Sequence, residues 1–338
     1  KDFKIKLFSI IFIFFLSVSL YAITPNQNLM LDMSRTYGYY IGQTYTLDNI
    51  KKKYPNLQNE IFLIKNDFDL KYLKSIKDIE QFFTKNMSKK QWSDLQKMVK
   101  DGIKKQLNTN ISYEESLEAI QVVKARIKGD IESPVIETLL MFNPNYQKNP
   151  IEELNDKFIQ TYNSKDNPKA KGVDFSVKVP KSWKSQEANR PNIVRKFTSN
   201  NGYIIEDTFI ENIMILVYDL PIEVKKLTSQ DVTDVCNDIP ENSVLRECKA
   251  TTLENLPVVV QRLKLNMKRL ENSMNMEVVQ YNVFYKNKMI IIQGQVGTMN
   301  EKISEKTLLE RFEKFKPVFN YVANSLMISN LYKQRRIK

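Results

Sequence analysis

The sequence predicts an α+β fold: an all-α helical domain over residues 28–163, then an antiparallel sheet flanked by helices over residues 173–330. Three observations carry this expectation. Apolar residues recur at three- and four-residue spacing up to about Asn163 and alternate beyond it. A polar segment at 164–172, with Pro168 and Gly172, falls where the period changes and reads as a linker. The runs Val258–Met267, Met276–Tyr285 and Met289–Val296 are rich in Val, Ile and Tyr, the composition of long strands.

The chain opens on a leader. Lys1, Lys4 and Lys6 precede an apolar run from Leu7 to Leu20, and Tyr21-Ala22 is a small-residue end followed by polar Thr24-Pro25-Asn26. That pattern is a cleavable secretory signal peptide over residues 1–22. The run is short of the roughly 20 residues a membrane span needs, although a retained anchor stays open as the alternative. The expectation is an exported protein, periplasmic or secreted, that does not span a membrane once cleaved.

The helical elements follow in order. Tyr37, Tyr40, Ile41 and Tyr45 share one helical spacing, and Leu57, Ile61, Ile64, Phe68 and Tyr72 share another. Ser88 with Gln91 is a capping box before Trp92, Leu95, Val99, Ile103 and Leu107. Ser112 with Glu115 repeats the device before Leu117, Ile120 and Val123, and Gly129 is a natural stop. Ser133-Pro134 and Asn149-Pro150 place a capping residue before a proline at the first helical position. Trp92, Leu95, Phe68 and Leu117 are expected in the core of this half.

Beyond the linker, Phe175, Val177 and Val179 alternate up to Pro180, and Ile213–Tyr218 is a continuous apolar run. Asn272-Ser273 and Asn287-Lys288 suit hairpin connections between the three long strands. Helices are expected near Ser229–Cys236 and over Ser304–Leu326, where Pro317 predicts a kink or a restart. Phe175, Trp183, Val260, Val279, Ile291, Phe315 and Phe319 are expected to form the second core. The chain closes on a basic tail at 331–338, suited to an anionic surface or simply solvated.

Residues 173–183, VDFSVKVPKSW, resemble the opening of PsbP-like α–β–α sandwich domains, which begin with a short alternating strand, a Pro and a Trp. Leu256-Pro257-Val258 and the closing helix around Phe319-Asn320-Tyr321-Val322 are similar to the middle and end of that family. The resemblance covers about residues 172–330 and implies a sheet covered by helices, with Trp183 packed beneath it. It implies no activity, because the family spans a photosystem subunit, Ran-binding proteins and exported bacterial proteins, and no functional residue carries over. In the first half, Tyr37–Gly42 is similar to the dimerising helical segment before exported FKBP-type isomerases, but no FKBP-like catalytic domain follows.

Chemistry is constrained mainly by what the sequence lacks. With no histidine, Ser-His and Cys-His nucleophile activation and His-liganded metal sites are excluded. The two cysteines, Cys236 and Cys248, are too few for a thiolate metal site and, in an exported chain, predict one disulfide. No phosphate loop, dinucleotide fingerprint or nucleophile elbow occurs, and Gly294 and Gly297 read as a strand end or bulge. The carboxylate pairs Glu114-Glu115 and Glu152-Glu153 read as helix-start residues, and Glu206-Asp207 as a surface pair in a loop. Asp67 and Asp69 lack the spacing of a calcium loop. Tyr37, Tyr39, Tyr40 and Tyr45 read as a buried stripe rather than a base-stacking surface.

The net charge of +12 is mostly Lys spread along the chain, which reads as a solvated surface and predicts no specific nucleic-acid binding. No catalytic residue, cofactor or metal ligand is predicted. The function expected is a non-catalytic exported protein that binds a protein or small ligand. A histidine-independent envelope enzyme using carboxylates, or a periplasmic chaperone-like helper, remains the alternative.

Overall fold

The computed structural model describes residues 27–106, 111–204, 209–269 and 272–333. The leader, the Glu206-Asp207 pair and the tail beyond Lys333 lie outside the described residues. The chain divides between Phe158 and Ile159 into two compact units. The fold class is α+β.

The first unit is helical: α1 (Gln27–Lys53), α2 (Gln58–Asn86), α3 (Lys89–Gln106), α4 (Tyr113–Ile127) and three short helices, α5 (Val135–Met141), α6 (Pro144–Lys148) and α7 (Ile151–Asn155). The α2 stripe forms as its spacing requires, with Ile61, Ile64, Phe68 and Tyr72 buried against α1 and α4, and Leu57 buried just before it. Each such side chain contributes roughly 1.5–3 kcal/mol through burial. Both expected capping boxes are present. Gln91 N–H donates to Ser88 Oγ at 3.3 Å, and Ser88 N–H donates to Gln91 Oε1 at 2.9 Å. Ser112 and Glu115 exchange the same pair of bonds, and Gly129 follows α4 at φ 95°.

Three expectations in this unit need correction. Leu117 is exposed, and α4 buries Ser116, Ile120 and Val123 instead. Two successive steps of three residues drift about 120° around a helix, so Leu117 cannot share a face with Val123, whereas Ser116 can. Trp92 and Leu95 are half-buried at the rim of the core, where the Trp92 ring lies 5.1 Å from Phe83 and 5.2 Å from Tyr37. The prolines act one residue early. Pro134, after a cis peptide bond, and Pro150 stand just ahead of α5 and α7. The cap-then-proline arrangement occurs at Asn143-Pro144, where Asn145 N–H donates to Asn143 Oδ1 at 3.0 Å.

The second unit begins earlier than the linker implied. Residues expected to end the helical half form strand β1 (Ile159–Asn163), which pairs antiparallel with β2 (Phe175–Pro180). The supposed linker at 164–172 is therefore the loop of a hairpin inside this unit. Its polar residues satisfy their own backbone. Ser164 Oγ donates to the Val173 carbonyl and accepts from Phe175 N–H, both at 2.8 Å, and Asn167 Oδ1 accepts from Lys169 N–H at 3.0 Å. Lys171 and Gly172 take left-handed backbone at φ 52° and 79° to return the chain. A structured loop of this kind has the same composition as a linker, which explains the misreading.

A test follows from this boundary. A fragment of residues 159–333 should unfold cooperatively in urea. One starting at residue 173 lacks β1, leaves one edge of β2 unpaired, and should be clearly less stable or aggregate. Equal stability of the two fragments would contradict the role given to β1.

The remaining elements are β3 (Lys184–Gln186), β4 (Ile193–Thr198), β5 (Phe209–Asp219), α8 (Ser229–Asn237), β6 (Ser243–Leu253), β7 (Leu256–Arg269), β8 (Asn272–Tyr285), β9 (Lys288–Thr298), α9 (Glu305–Asn324), β10 (Met327–Ile328) and α10 (Ser329–Lys333). Seven strands form one antiparallel sheet in the order β3-β4-β5-β9-β8-β7-β6, and β1-β2-β10 form another. Strands β7, β8 and β9 contain the three expected runs. The connections fall earlier than expected: Lys286-Asn287 joins β8 to β9, and Asn272-Ser273 already belongs to β8.

Helix α9 packs on β8, β9 and β2, and α8 packs on β6 and β7. Pro317 sits inside α9, which continues through it. Phe315, Phe319 and Trp183 are buried, and Trp183 lies 6.2 Å from Phe315 between ring centroids. Val260 is only half-buried, and Ile291 is buried on the sheet face away from α9, in a separate cluster with Leu216, Val259 and Phe284. Gly294 and Gly297 are neither strand end nor bulge: both are paired within β9. Gly294 is required because a Cβ there would overlap the Phe319 ring of α9, and one at Gly297 would overlap Met274.

Candidate functional site

Two helical stripes in the first unit face each other across an open space. From α1 come Tyr39, Gly42, Gln43, Thr46 and Leu47, and from α4 come Ala119, Val122, Val123 and Arg126. Both sets have the three- and four-residue spacing that places side chains on one helix face. The space lies beside the small side chain of Ala119; a Cβ at Gly42 would instead meet Ile103 of α3 at 3.9 Å. The resulting pocket has a volume of about 310 Å³, near the lower end of the roughly 300–1,000 Å³ usual for small-molecule sites.

The polarity of this pocket is gathered around Arg126. Its guanidinium carbon lies 4.5 Å from the centre of the Tyr39 ring, and its Nη1 donates to Gln43 Oε1 at 3.0 Å. Among the described residues no carboxylate forms an ion pair with it. The Tyr39 hydroxyl is buried and has no hydrogen-bond partner among the described residues. Burial pushes the Tyr39 phenol up to about 12; Arg126 pulls it down less strongly, and Glu132 and Asp130 add to the rise. It therefore stays a protonated donor at neutral pH. Thr46 is turned away, donating to the Gly42 carbonyl at 3.0 Å within its own helix. Leu47, Ala119, Val122 and Val123 supply the apolar walls.

The phenols give a pH prediction. Burial is also the main cause that holds Tyr40 at about 12, and it raises Tyr72 and Tyr146. Unfolded phenols ionise near pH 10. Raised folded values mean that this stability is fully present below about pH 10 and is lost as pH rises through the folded values near 12. In an alkaline titration, a late phase of tyrosinate absorbance should coincide with loss of helicity. Complete ionisation near pH 10 with helicity intact would contradict it.

A second polar feature lies in the seven-stranded sheet. Gln261, Gln280, Asn282, Gln293, Gln295 and Asn212 are all at most 5% exposed, and the register places them on one sheet face. Gln280 donates to Gln293 at 2.9 Å, Gln293 to Gln295 at 2.6 Å, and Asn282 to Gln261 at 2.9 Å. Gln261 also donates to the Val235 carbonyl of α8 at 2.7 Å. Apolar clusters lie along this band: one holds Leu216, Phe284 and Ile291, another Leu263, Met276 and Val278. The band is closed to solvent, so it belongs to the interior rather than to an open site.

Asn212 is the weak member of that band, since neither amide atom has a partner among the described residues. Asn212→Leu should therefore stabilise the protein by about 1–3 kcal/mol, the desolvation penalty of unsatisfied polar atoms. A urea midpoint that falls in this variant would show that the amide is satisfied in solution.

The residues singled out in the sequence fall as follows. Cys236 of α8 and Cys248 of β6 form a disulfide with Cα atoms 5.8 Å apart. Glu114 and Glu115 open α4, and Glu115 is held below the usual carboxylate range by its bonds to Ser112. Glu152 and Glu153 open α7, where Glu152 accepts from Asn149 at 2.9 Å. Asp69 accepts from the Tyr40 hydroxyl at 3.0 Å. Tyr37 is buried, while Tyr39, Tyr40 and Tyr45 are half-buried, so the tyrosines are not one closed stripe. No cluster of three or more acidic or sulfur side chains among the described residues has the arrangement of a metal site.

Arg126, Gln43, Gly42 and Ala119 were not picked out by sequence reasoning. A single arginine on an amphipathic helix has the pattern of a solvated cation, and only the pairing of α1 with α4 reveals the pocket.

No family model and no curated protein matches the chain. Several solved structures bear a distant likeness to it, two of them as follows. One is a protein of Bacteroides thetaiotaomicron, 14% identical with a TM-score of 0.25, where the match covers 46% of this chain and 44% of the other. The second is LpqN, involved in cell envelope biogenesis of Mycobacterium tuberculosis. It is 12% identical with a TM-score of 0.30, and the match covers 55% of this chain and 99% of LpqN. At these scores neither likeness carries an argument about function. No helix among the described residues is long and apolar enough to cross a membrane.

Proposed function

We propose that this is an exported, non-catalytic binding protein of the bacterial envelope. Its helical unit holds a small ligand between α1 and α4, and its second unit is a PsbP-like sandwich. The observation that carries the binding reading is the 310 Å³ pocket with apolar walls and the polar side chains of Gln43 and Arg126. The export reading rests on the charged start and apolar run of residues 1–22, with the Cys236–Cys248 disulfide in support.

The pocket is tested by calorimetric titration with decanol, a chain that asks only for apolar contact and one hydrogen bond. The intact protein should bind it saturably, and Ala119→Trp, which fills the space while keeping α4 helical, should abolish binding. Absence of binding to the intact protein, or unchanged binding to a folded Ala119→Trp variant, would refute this reading.

A further inference from the structure

We infer that the α1–α4 pocket selects a monoanionic amphiphile, a carboxylate carried on a medium-length acyl chain, with Arg126 holding the carboxylate and the Tyr39 ring positioning Arg126. This rests on the pocket being a ligand site and adds the chemistry of its occupant. A guanidinium presents five N–H donors in a planar fork. Here one reaches Gln43 Oε1, and the group lies near the face of the Tyr39 ring. Donors remain for a ligand, and no carboxylate of the described residues takes them. Paired N–H groups of that fork match the two oxygens of a carboxylate, a geometry an alcohol cannot use.

Tyr39 lines the same pocket, and its ring lies under the Arg126 guanidinium and positions it, while its hydroxyl is buried away from solvent. Arg126 is the one cationic residue among the described residues lining the pocket, and a single positive charge matches a single negative charge rather than a dianion such as a phosphate monoester. Leu47, Val122 and Val123 then receive the chain, and Val122, 46% exposed, marks the side open to solvent.

The test compares decanoate, decanol and decyl phosphate by calorimetric titration, on the intact protein and on Arg126→Met, Arg126→Lys and Tyr39→Phe. Decanoate should bind about tenfold more tightly than decanol, the scale of one charge-assisted interaction. It should also bind more tightly than decyl phosphate. Arg126→Met should erase the preference over decanol while leaving decanol binding intact, which shows that the pocket still forms. Arg126→Lys should keep part of the preference, and Tyr39→Phe, which retains the ring under Arg126, should leave the preference in place. Equal affinity for decanoate and decanol would overturn the anion inference and leave the pocket reading standing. Tighter binding of decyl phosphate would overturn the monoanion assignment. Failure of all three chains to bind would overturn the pocket reading itself.

Discussion

Replacing Arg246 by Met should destabilise the second unit by about 3–5 kcal/mol, the usual loss when one member of a buried ion pair is removed. Arg246 projects from β6, and its Nε and Nη2 donate to both oxygens of Glu277 on β8 at 2.6–3.1 Å. Glu277 is fully buried. The same Nη2 donates to Glu305, the first residue of α9, at 2.7 Å, and Lys264 donates to the other Glu305 oxygen at 2.5 Å. One arginine thus ties an edge strand, a central strand and the start of a helix. Its removal leaves a buried carboxylate with no fork to answer it, because Lys264, opposite Glu277 in the ladder, is engaged by Glu305. Urea unfolding measures the loss. A second change, Glu277→Met, should return most of the stability to the Arg246→Met protein. If the single change costs under about 1 kcal/mol, the pair behaves as a surface bridge and the account of this face fails.

Loss of the Cys236–Cys248 bond should cost roughly 3 kcal/mol on the loop-entropy model, for a sequence separation of 12 residues. The bond fastens α8 to β6, and α8 has few other ties to the sheet. Val235 is buried there, and Gln261 donates to its carbonyl. Reduction, or the paired change Cys236→Ser and Cys248→Ser, should therefore speed amide exchange in α8 before it affects β5 or β9. The oxidised protein should show no free thiol when unfolded. Unchanged stability on reduction would mean that Gln261 and the surrounding apolar contacts hold α8 alone.

How much of this was legible depends on what each residue's pattern encodes. The α2 stripe from Ile61 to Tyr72 was readable because one buried face imposes one period. The long strands β7, β8 and β9 were readable for the same reason, from their β-branched and aromatic runs. Strand β6 was not: as an edge strand it is largely exposed, so its Ser243–Leu253 sequence shows neither alternation nor an apolar run. Strand β1 was lost because Ile159–Asn163 is short and only partly buried, and its polar hairpin loop imitates a linker. Gly294 was visible as a residue but not as a requirement, since the Phe319 ring that demands it comes from a distant helix. The capping boxes at Ser88–Gln91 and Ser112–Glu115, which depend on residues three apart, were local and readable, whereas the box at Thr228–Asp231 that opens α8 was missed.

The candidate site lies at the illegible end of this range. Ala119 carries no signal alone, and it borders a pocket only because α4 packs against α1. Tyr39 was noticed as one of several tyrosines, yet the Arg126 guanidinium over its ring is a tertiary property. The disulfide was legible because two cysteines in an exported chain admit few arrangements.

The most direct measurement is a methyl resonance map of the protein with labelled Ala, Leu and Val during titration with decanoate. The largest shifts should fall on Leu47, Ala119, Val122 and Val123, while Val278 and Val283 of the sheet stay in place. Shifts centred on the sheet residues, with the α1–α4 methyls unmoved, would contradict it.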